Sequence, residues 1–425
     1  MKQLFFKSEF TKNSFTLIIG TILAQAIPLI LHPLLRRIYT PEDFGAMAVY
    51  LNIFSMITIV SALRYEATIV LPKNNNEAGN ILSLTFILNI IFSTIIFLII
   101  LFFKNDIVQF INFPLKYSNY LYFLPFACSI FGIYQSINYW LIRQKAFKAS
   151  TTNKIIRRGI EGAVQGVLGF FKVPGGLFIG DLSGNFANVI AGIRQIFKNK
   201  YDVRLVSRKK IIYVFKKYID YPKFNVLPTL LSSAATILPF LFINKMYSTE
   251  IVGYLDLSRL VLSIPLIFIA STISQVFFQQ TTEKKHNSLS IKKDLMNIMY
   301  LLLAVICIEI LIILFLGPQL FGFVFGERYT VSGSFSQILI FSFVLNFIGS
   351  TFSSIFITFE KIRLNSIWQI IYFCAICSLL FYTGLNIYNF LKIYVLIEVI
   401  MHLIYIAMIL FIINGYEKKL KKITN

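Results

Sequence analysis

Twelve long apolar runs, separated by short polar segments, constrain this chain more than any motif in it. They fall near residues 14–35, 44–63, 81–103, 119–141, 158–172, 174–196, 224–246, 252–278, 295–316, 335–358, 366–385 and 391–413. A helix needs about twenty apolar residues to cross a hydrocarbon core of ~30 Å. A backbone in lipid must also satisfy its own hydrogen bonds, and no polar-in, apolar-out alternation of a barrel is visible. The expected fold class is therefore an all-α integral membrane protein with about twelve transmembrane helices. Composition agrees: 57% of residues are hydrophobic, 14% are charged and mean hydropathy is +0.73, where soluble domains carry about a quarter charged residues. The run at 158–172 is the shortest, but removing it would put the next basic cluster on the wrong side.

The formal charge of +21 would suggest nucleic acid in a soluble chain. Here the basic residues lie in short clusters between apolar runs, which points to anionic membrane surfaces and away from nucleic acid. With the N-terminus inside, 31 of the 40 Lys and Arg residues fall in cytoplasmic segments and eight, including Arg36, Arg37 and Lys245, fall outside. By the positive-inside rule both termini are cytoplasmic. Lys2, Lys7 and Lys12, followed by Ala24-Gln25-Ala26, imitate a cleavable signal, yet the apolar run continues to Leu35, so the first helix is expected to remain. Cys128, Cys307, Cys374 and Cys377 all lie in predicted spans. Neither a disulfide framework nor a metal site follows from them.

An internal repeat organises the chain. Tyr39, Thr40, Glu42 and Gly45 recur as Tyr247, Ser248, Glu250 and Gly253, each 208 positions later, and Arg37 falls on Lys245 at the same offset. Such an offset implies two six-helix lobes in the same orientation, a parallel repeat of the kind that places a transport site between halves. The expected organisation is an N-terminal lobe over 1–200, a connector over 201–223 and a C-terminal lobe over 224–425. Within the connector, Ile211, Ile212, Phe215, Tyr218 and Ile219 take one helical face and Lys209, Lys210, Lys216, Lys217 and Asp220 the other, the pattern of an interfacial amphipathic helix.

Charges inside a membrane frame usually face a partner or a watery cavity. Asp256 and Arg259 lie one turn apart in the eighth span and can pair, or Arg259 can line a cavity for an anion. Asp181, Asn185 and Asn188 share a face of the sixth span, and a wet face is expected there. Glu161 and Gln165 are accounted for by headgroup exposure at the inner end of the fifth. Glu398 and His402 share a face of the twelfth span and could carry a coupling proton or simply pack two helices. Glu309 in the ninth has no partner nearby in sequence. At the end of the second span, Arg64 and Glu66 form either an inner gate or a local salt bridge.

No catalytic constellation is present. The sequence has no Walker loop, its histidines His32, His286 and His402 lack metal spacing, and its outer loops near 104–118 and 317–334 are short. A membrane polymerase or ligase of lipid-linked sugars, which would be expected to carry a large outer loop, is therefore the weaker alternative, and the chain is read as a non-enzyme. A scaffold would not explain a repeat with charges between lobes.

Several pieces together resemble a known family. They are Arg64-Tyr65-Glu66 followed by Ala-x-Ile-Val-Leu-Pro, then Glu77-Ala78; Tyr39 to Gly45 after the first span; Tyr218 to Pro222; and Gly253-Tyr254 with Arg259-Leu260 and Pro265. This set resembles the polysaccharide-export flippases of the Wzx type, in the multidrug/oligosaccharidyl-lipid/polysaccharide (MOP) exporter superfamily, over nearly the whole chain. The resemblance implies two lobes forming a V, with alternating access. The implied activity is transfer of an undecaprenyl-diphosphate-linked oligosaccharide, of the O-antigen or capsule type, to the outer leaflet of a bacterial inner membrane. On that reading Arg36, Arg37, Arg64, Lys245 and Arg259 offer charge to the diphosphate, with Glu66 and Asp256 as gate or salt-bridge partners. Asp181, Glu309, Glu398 and His402 are the candidates for H+ or Na+ coupling, and Asp181 is not expected from the family pattern. No cofactor is implied. Partners would be the lipid-linked sugar, membrane lipids and other assembly proteins such as a polymerase or chain-length regulator. A drug or small-cation antiporter of the same superfamily is the alternative and would need an anionic cavity.

Overall fold

The computed structural model describes residues 9–199, 201–264 and 269–424, and every regular element among them is a helix. Lys2, Lys7 and Pro265 of the sequence arguments lie outside the described residues. Nine of the described helical stretches are long and apolar enough to cross a membrane. The other three expected positions are taken by α1 (Glu9–Ile38), α5 (Phe147–Phe170) and, for the eighth span, two described helices, α9 (Thr249–Leu262) and α10 (Ser271–His286). Contacts divide the chain into two compact units, Met1–Ser233 with Ser248–Val252, and Ala234–Tyr247 with Gly253–Asn425.

In the first unit, α1 is followed by α2 (Pro41–Ser61), α3 (Asn75–Ile111), α4 (Phe123–Arg143), α5, α6 (Gly176–Lys198) and the connector helix α7 (Arg208–Lys217). Thr40 caps α2 through a capping box with Asp43, and Asn74 caps α3 by accepting from Glu77 N at 3.0 Å. These short polar side chains satisfy amides that a helix start leaves open. Helices α1 and α5 run parallel in constant register: Gly20 lies against Thr151, Leu31 against Gly162, and Ile38 and Tyr39 against Gly169. Helices α5 and α6 close even more tightly. Gly176, Gly180 and Gly184 are spaced by four on one face of α6, and a Cβ on Gly184 would sit 2.8 Å from the Arg157 carbonyl oxygen. Small residues at this spacing let two backbones approach.

The stretch Arg64 to Pro72 is a bound loop and not part of a span. Arg64 has φ +64° and starts a 3-10 helix over Tyr65–Val70. Arg143 Nη1 donates to the carbonyls of Pro72 at 2.6 Å, Val70 at 3.3 Å and Ile69 at 3.4 Å. Tyr65 Oη donates to Phe215 O on α7 at 2.7 Å, and the two rings stack. Lys217 and Tyr218 both reach the Glu77 carboxylate, at 2.6 and 3.0 Å. The amphipathic connector is thus held on the start of α3, while Ile212, Tyr213 and Phe215 remain exposed.

In the second unit α8 (Asp220–Met246) contributes from Ala234 onward, followed by the rest of α9, α10, α11 (Lys292–Phe325), α12 (Thr330–Thr351), α13 (Ser354–Thr358), α14 (Ile362–Cys377) and α15 (Ile387–Thr424). α11 and α12 touch backbone to backbone: a Cβ on Gly333 would lie 2.5 Å from Gly317 O and from Pro318 Cα. Phe277, Phe352, Ile355 and Tyr405 belong to the apolar core, with Trp368 packed against it. Glu417 on α15 accepts from the amides of Ile291 and Lys292 at 2.8 and 3.0 Å, so the last helix caps the start of α11.

The sequence repeat corresponds to a repeated local structure. Asp43 N donates to Thr40 Oγ1 at 3.2 Å, and Ile251 N, 208 positions later, donates to Ser248 Oγ at 3.2 Å. Tyr39 Oη donates to Gln165 O at 2.8 Å, and Tyr247 Oη to Leu385 O at 2.9 Å. In each unit the tyrosine that ends the first helix ties it to the backbone of, or just after, the fifth.

Candidate functional site

A polar and charged stripe runs along α5 where it closes on α6. Lys154, Arg157, Arg158, Glu161 and Gln165 recur on α5 at spacings of three and four, which puts them on one face. Arg157 Nη2 lies 3.5 Å from Asp181 Oδ1, with side-chain exposures of 18% and 3%. Asn185 Nδ2 donates to the other Asp181 oxygen at 3.1 Å. Arg158 Nη1 reaches both Glu161 oxygens, at 2.9 and 3.1 Å. Gln165 is buried and donates to Leu177 O at 3.1 Å.

Beside this stripe lies a cavity of about 280 Å³. α5 lines it with Lys154, Arg157 and Arg158, α4 with Phe131, Tyr134, Gln135 and Asn138, α1 with Ala24 and Gln25, and α6 with Asn188. The Arg157 guanidinium carbon is 5.5 Å from the Phe131 ring centroid. At this wall Arg157 Nε is buried without a hydrogen-bond partner among the described residues, and the Tyr134 hydroxyl lies beside the buried Asn188 carboxamide. Buried polar groups are nearly always paired, with protein or with ordered water. Further along α1, His32 lies within electrostatic reach of Arg158 and Arg36.

The expected site residues fall as follows. Arg36, expected at an outer mouth, is fully buried, with its guanidinium carbon 3.6 Å from the centroid of Phe44; a cation–π seat holds it at the α1–α2 corner. Arg37 and Lys245 are exposed in the last turns of α1 and α8. Arg64 and Glu66 form the local pair, at 3.5 Å. Burial raises the Glu66 carboxyl above its ordinary range, against a backbone hydrogen bond and the Arg64 charge.

The pairing expected within the eighth span is not formed: among the described residues no ion pair joins Arg259 to Asp256. Arg259 turns to α8, 4.4 Å from the Phe240 centroid, with Nη1 3.4 Å from Thr236 O. Asp181 is buried in an ion pair and does not line a wet face; that role falls to Asn188. Glu161 and Gln165 are engaged within the unit and need no headgroups. Glu398 and His402 do meet: His402 Nδ1 donates to Glu398 O at 2.8 Å and lies 3.4 Å from its carboxylate, while Tyr372 Oη donates to that carboxylate at 2.6 Å. Glu309 is half-buried on α11 and makes no hydrogen bond or ion pair among the described residues.

Lys154, Arg157 and Arg158 were not singled out from sequence, where they count as cytoplasmic anchoring charges. The signal that could have found them is their helical spacing with Glu161 and Gln165, opposite the Gly176, Gly180 and Gly184 face of the next helix.

Comparisons place this architecture. The family model of polysaccharide biosynthesis proteins matches residues 34–334. No curated protein matches. Among solved structures, an inward-facing multidrug resistance MATE family transporter of the MOP superfamily is similar at TM-score 0.73 and 13% identity, over 93% of this chain and 99% of the other. The lipid II flippase MurJ in an inward closed conformation is similar at TM-score 0.75 and 14% identity, over 96% of this chain and 92% of the other. A MOP superfamily transporter from Pyrococcus furiosus with a binding pocket of reverse polarity is similar at TM-score 0.59 and 14% identity, over 95% of each chain. At these identities the likeness is one of fold. The chain has the fold of MOP superfamily transporters and belongs to the polysaccharide biosynthesis protein family.

Proposed function

We propose that this protein is a flippase that carries an undecaprenyl-diphosphate-linked oligosaccharide, of the O-antigen or capsule type, from the inner to the outer leaflet of the bacterial inner membrane. Both termini lie in the cytoplasm, access alternates between the two faces, and H+ or Na+ drives the cycle. The observation that carries the reading is the basic cavity of the first unit, where Lys154, Arg157 and Arg158 face carboxamides. An anionic sugar head stripped of water needs replacement hydrogen bonds and opposite charge, and guanidinium groups supply both. A carrier of small cations would instead line its cavity with carboxylates; here Asp181 and Glu161 are turned to arginines. Glu398 with His402, Asp181 and Glu309 remain the proposed coupling groups, and polymerase or chain-length proteins the proposed partners.

The test is reconstitution. Proteoliposomes carrying lipid-linked oligosaccharide in the lumenal leaflet are exposed to a membrane-impermeant glycosidase. The expected result is time-dependent loss of the protected sugar in intact vesicles, abolished by Lys154→Gln with Arg158→Gln. Protection unchanged by the wild-type protein would overturn the proposal.

A further inference from the structure

We propose that helix α7 docks on the anionic phospholipids of the cytoplasmic leaflet, with Arg208, Lys209 and Lys216 meeting lipid phosphates beside the protein. This surface shares no residue with the cavity described above and is independent of the flippase reading; only the choice of leaflet follows the proposed orientation.

The side chains of α7 fall on three arcs, since a helix advances by ~100° per residue. Ile211 and Val214 share the first, and the unit takes them up: Val214 is 1% exposed, and both pack in the apolar cluster that holds Tyr65 and Trp140. About 100° round lie Ile212 and Phe215, 46% and 37% exposed, with Ile219 just past the helix end at 43%. Lys209 and Lys216 fall a further ~80° round, on the side opposite the buried arc. In sequence the apolar residues read as one face; the structure splits them in two, and the second arc stays uncovered in the first unit.

The basic residues divide in the same way. Lys210 and Lys217 are drawn to protein acceptors, Leu205 O at 3.2 Å and the Glu77 carboxylate at 2.6 Å. Arg208, Lys209 and Lys216 are exposed, and their side chains make no hydrogen bond, ion pair or ring contact among the described residues. Arg208 stands one turn before Ile212, on the uncovered apolar arc. No Asp or Glu occurs between Val203 and Ile219, so the segment itself is purely cationic.

This pattern selects the occupant. An apolar arc edged by cations matches acyl chains under a layer of phosphates, where Lys and Arg lay their stems on apolar surface and hold their charged ends at headgroup level. A membrane surface is at hand, because the span α8 starts three residues after α7 ends. A second copy of the helix would instead bring like charges together. The bonds from Tyr65 to Phe215 O and from Tyr218 to Glu77 hold α7 in place, so the arc is presented already folded. Each cation at an anionic leaflet strengthens binding by about 5-fold.

The test uses the full chain carrying Ile212→Trp, in nanodiscs of phosphatidylcholine with a bromine-labelled lipid added. That lipid is either phosphatidylglycerol or phosphatidylcholine, at the same mole fraction. Bromine quenches a tryptophan it touches, and the parent chain, with Trp140 and Trp368, gives the background. Labelled phosphatidylglycerol should quench the new tryptophan more strongly, by a local enrichment of at least ~5-fold, and added salt should remove the difference. Arg208→Gln/Lys209→Gln/Lys216→Gln should bring the two lipids level, whereas Lys418→Gln/Lys419→Gln, at exposed positions on α15, should not. Ile219→Trp repeats the reading at a second place on the arc. Equal quenching by the two lipids in the parent background would overturn the choice of anionic lipid. Quenching by neither lipid at either position would overturn the membrane as occupant and leave water or a protein there. None of these readouts involves transport, so their failure leaves the flippase reading standing.

Discussion

Replacing Arg157 by Met separates the structural role of its ion pair from its place in the cavity. Asp181 is 3% exposed and Arg157 18%, so removing the guanidinium strands a buried carboxylate whose remaining side-chain partner is Asn185 at 3.1 Å. Breaking a buried pair from one side costs about 3–5 kcal/mol. The long 3.5 Å separation and the surviving Asn185 contact put the expected loss near ~3 kcal/mol. Removing both charges in Arg157→Met/Asp181→Leu exchanges the pair for apolar volume, which is often neutral or stabilising. The double variant should return to within ~1 kcal/mol of the parent. Stability is read as the fraction of protein left monodisperse after a heating series in detergent, and transport by the glycosidase assay. The single variant should be markedly less stable, the double near the parent, and both defective in transport. A double variant as unstable as the single would refute the pair as the source of the loss. Full transport by the double would remove Arg157 from the substrate site.

Three further outcomes follow from local geometry. Tyr39→Phe and Tyr247→Phe each remove a donor to a carbonyl in its own unit, at 2.8 and 2.9 Å, and should each cost about 1 kcal/mol, adding in the double variant since they share no partner. Gly333→Ala drives a Cβ to 2.5 Å from the Gly317 carbonyl oxygen, a backbone atom that cannot rotate aside; yield of folded protein should fall sharply, with a loss of about 3 kcal/mol or more, whereas Gly415→Ala, which meets open space, should be silent. Because burial raises the Glu66 carboxyl in the folded protein, its contribution favours folding in acid and is lost as pH rises through the folded value. Glu66→Gln should therefore stabilise at pH 8 and bring no gain at pH 4, as read by melting curves across pH; a gain that grew on acidification would contradict the sign.

Helices were legible because lipid demands long apolar runs, and Thr40 and Ser248 were legible as matched positions of the repeat, though their capping role was not read from the sequence. Helix α5 was read from 158, yet it begins at Phe147. Hydropathy cannot see its first half, where Lys154, Arg157 and Arg158 are sheltered by neighbouring helices and not by their own composition. The i, i+3 spacing of Asp256 and Arg259 permits a pair but does not compel one, and the Phe240 face on α8 took the guanidinium instead. Arg36 shows the same limit: as a basic residue at a span end it was read as a cation at an outer mouth, but an aromatic ring from the next helix covers it. Glu398 and His402 were found because both lie on one helix, where i, i+4 spacing makes two side chains neighbours, and here the two do meet.

The most direct test of the central claim is where complete lipid-linked oligosaccharide accumulates in a strain of the source bacterium lacking this protein. The account predicts build-up on the cytoplasmic leaflet and loss of surface polymer, reversed by the intact gene and not by Lys154→Gln/Arg158→Gln protein present at equal level in the membrane. Complete units reaching the outer leaflet normally in the deletion strain would contradict it.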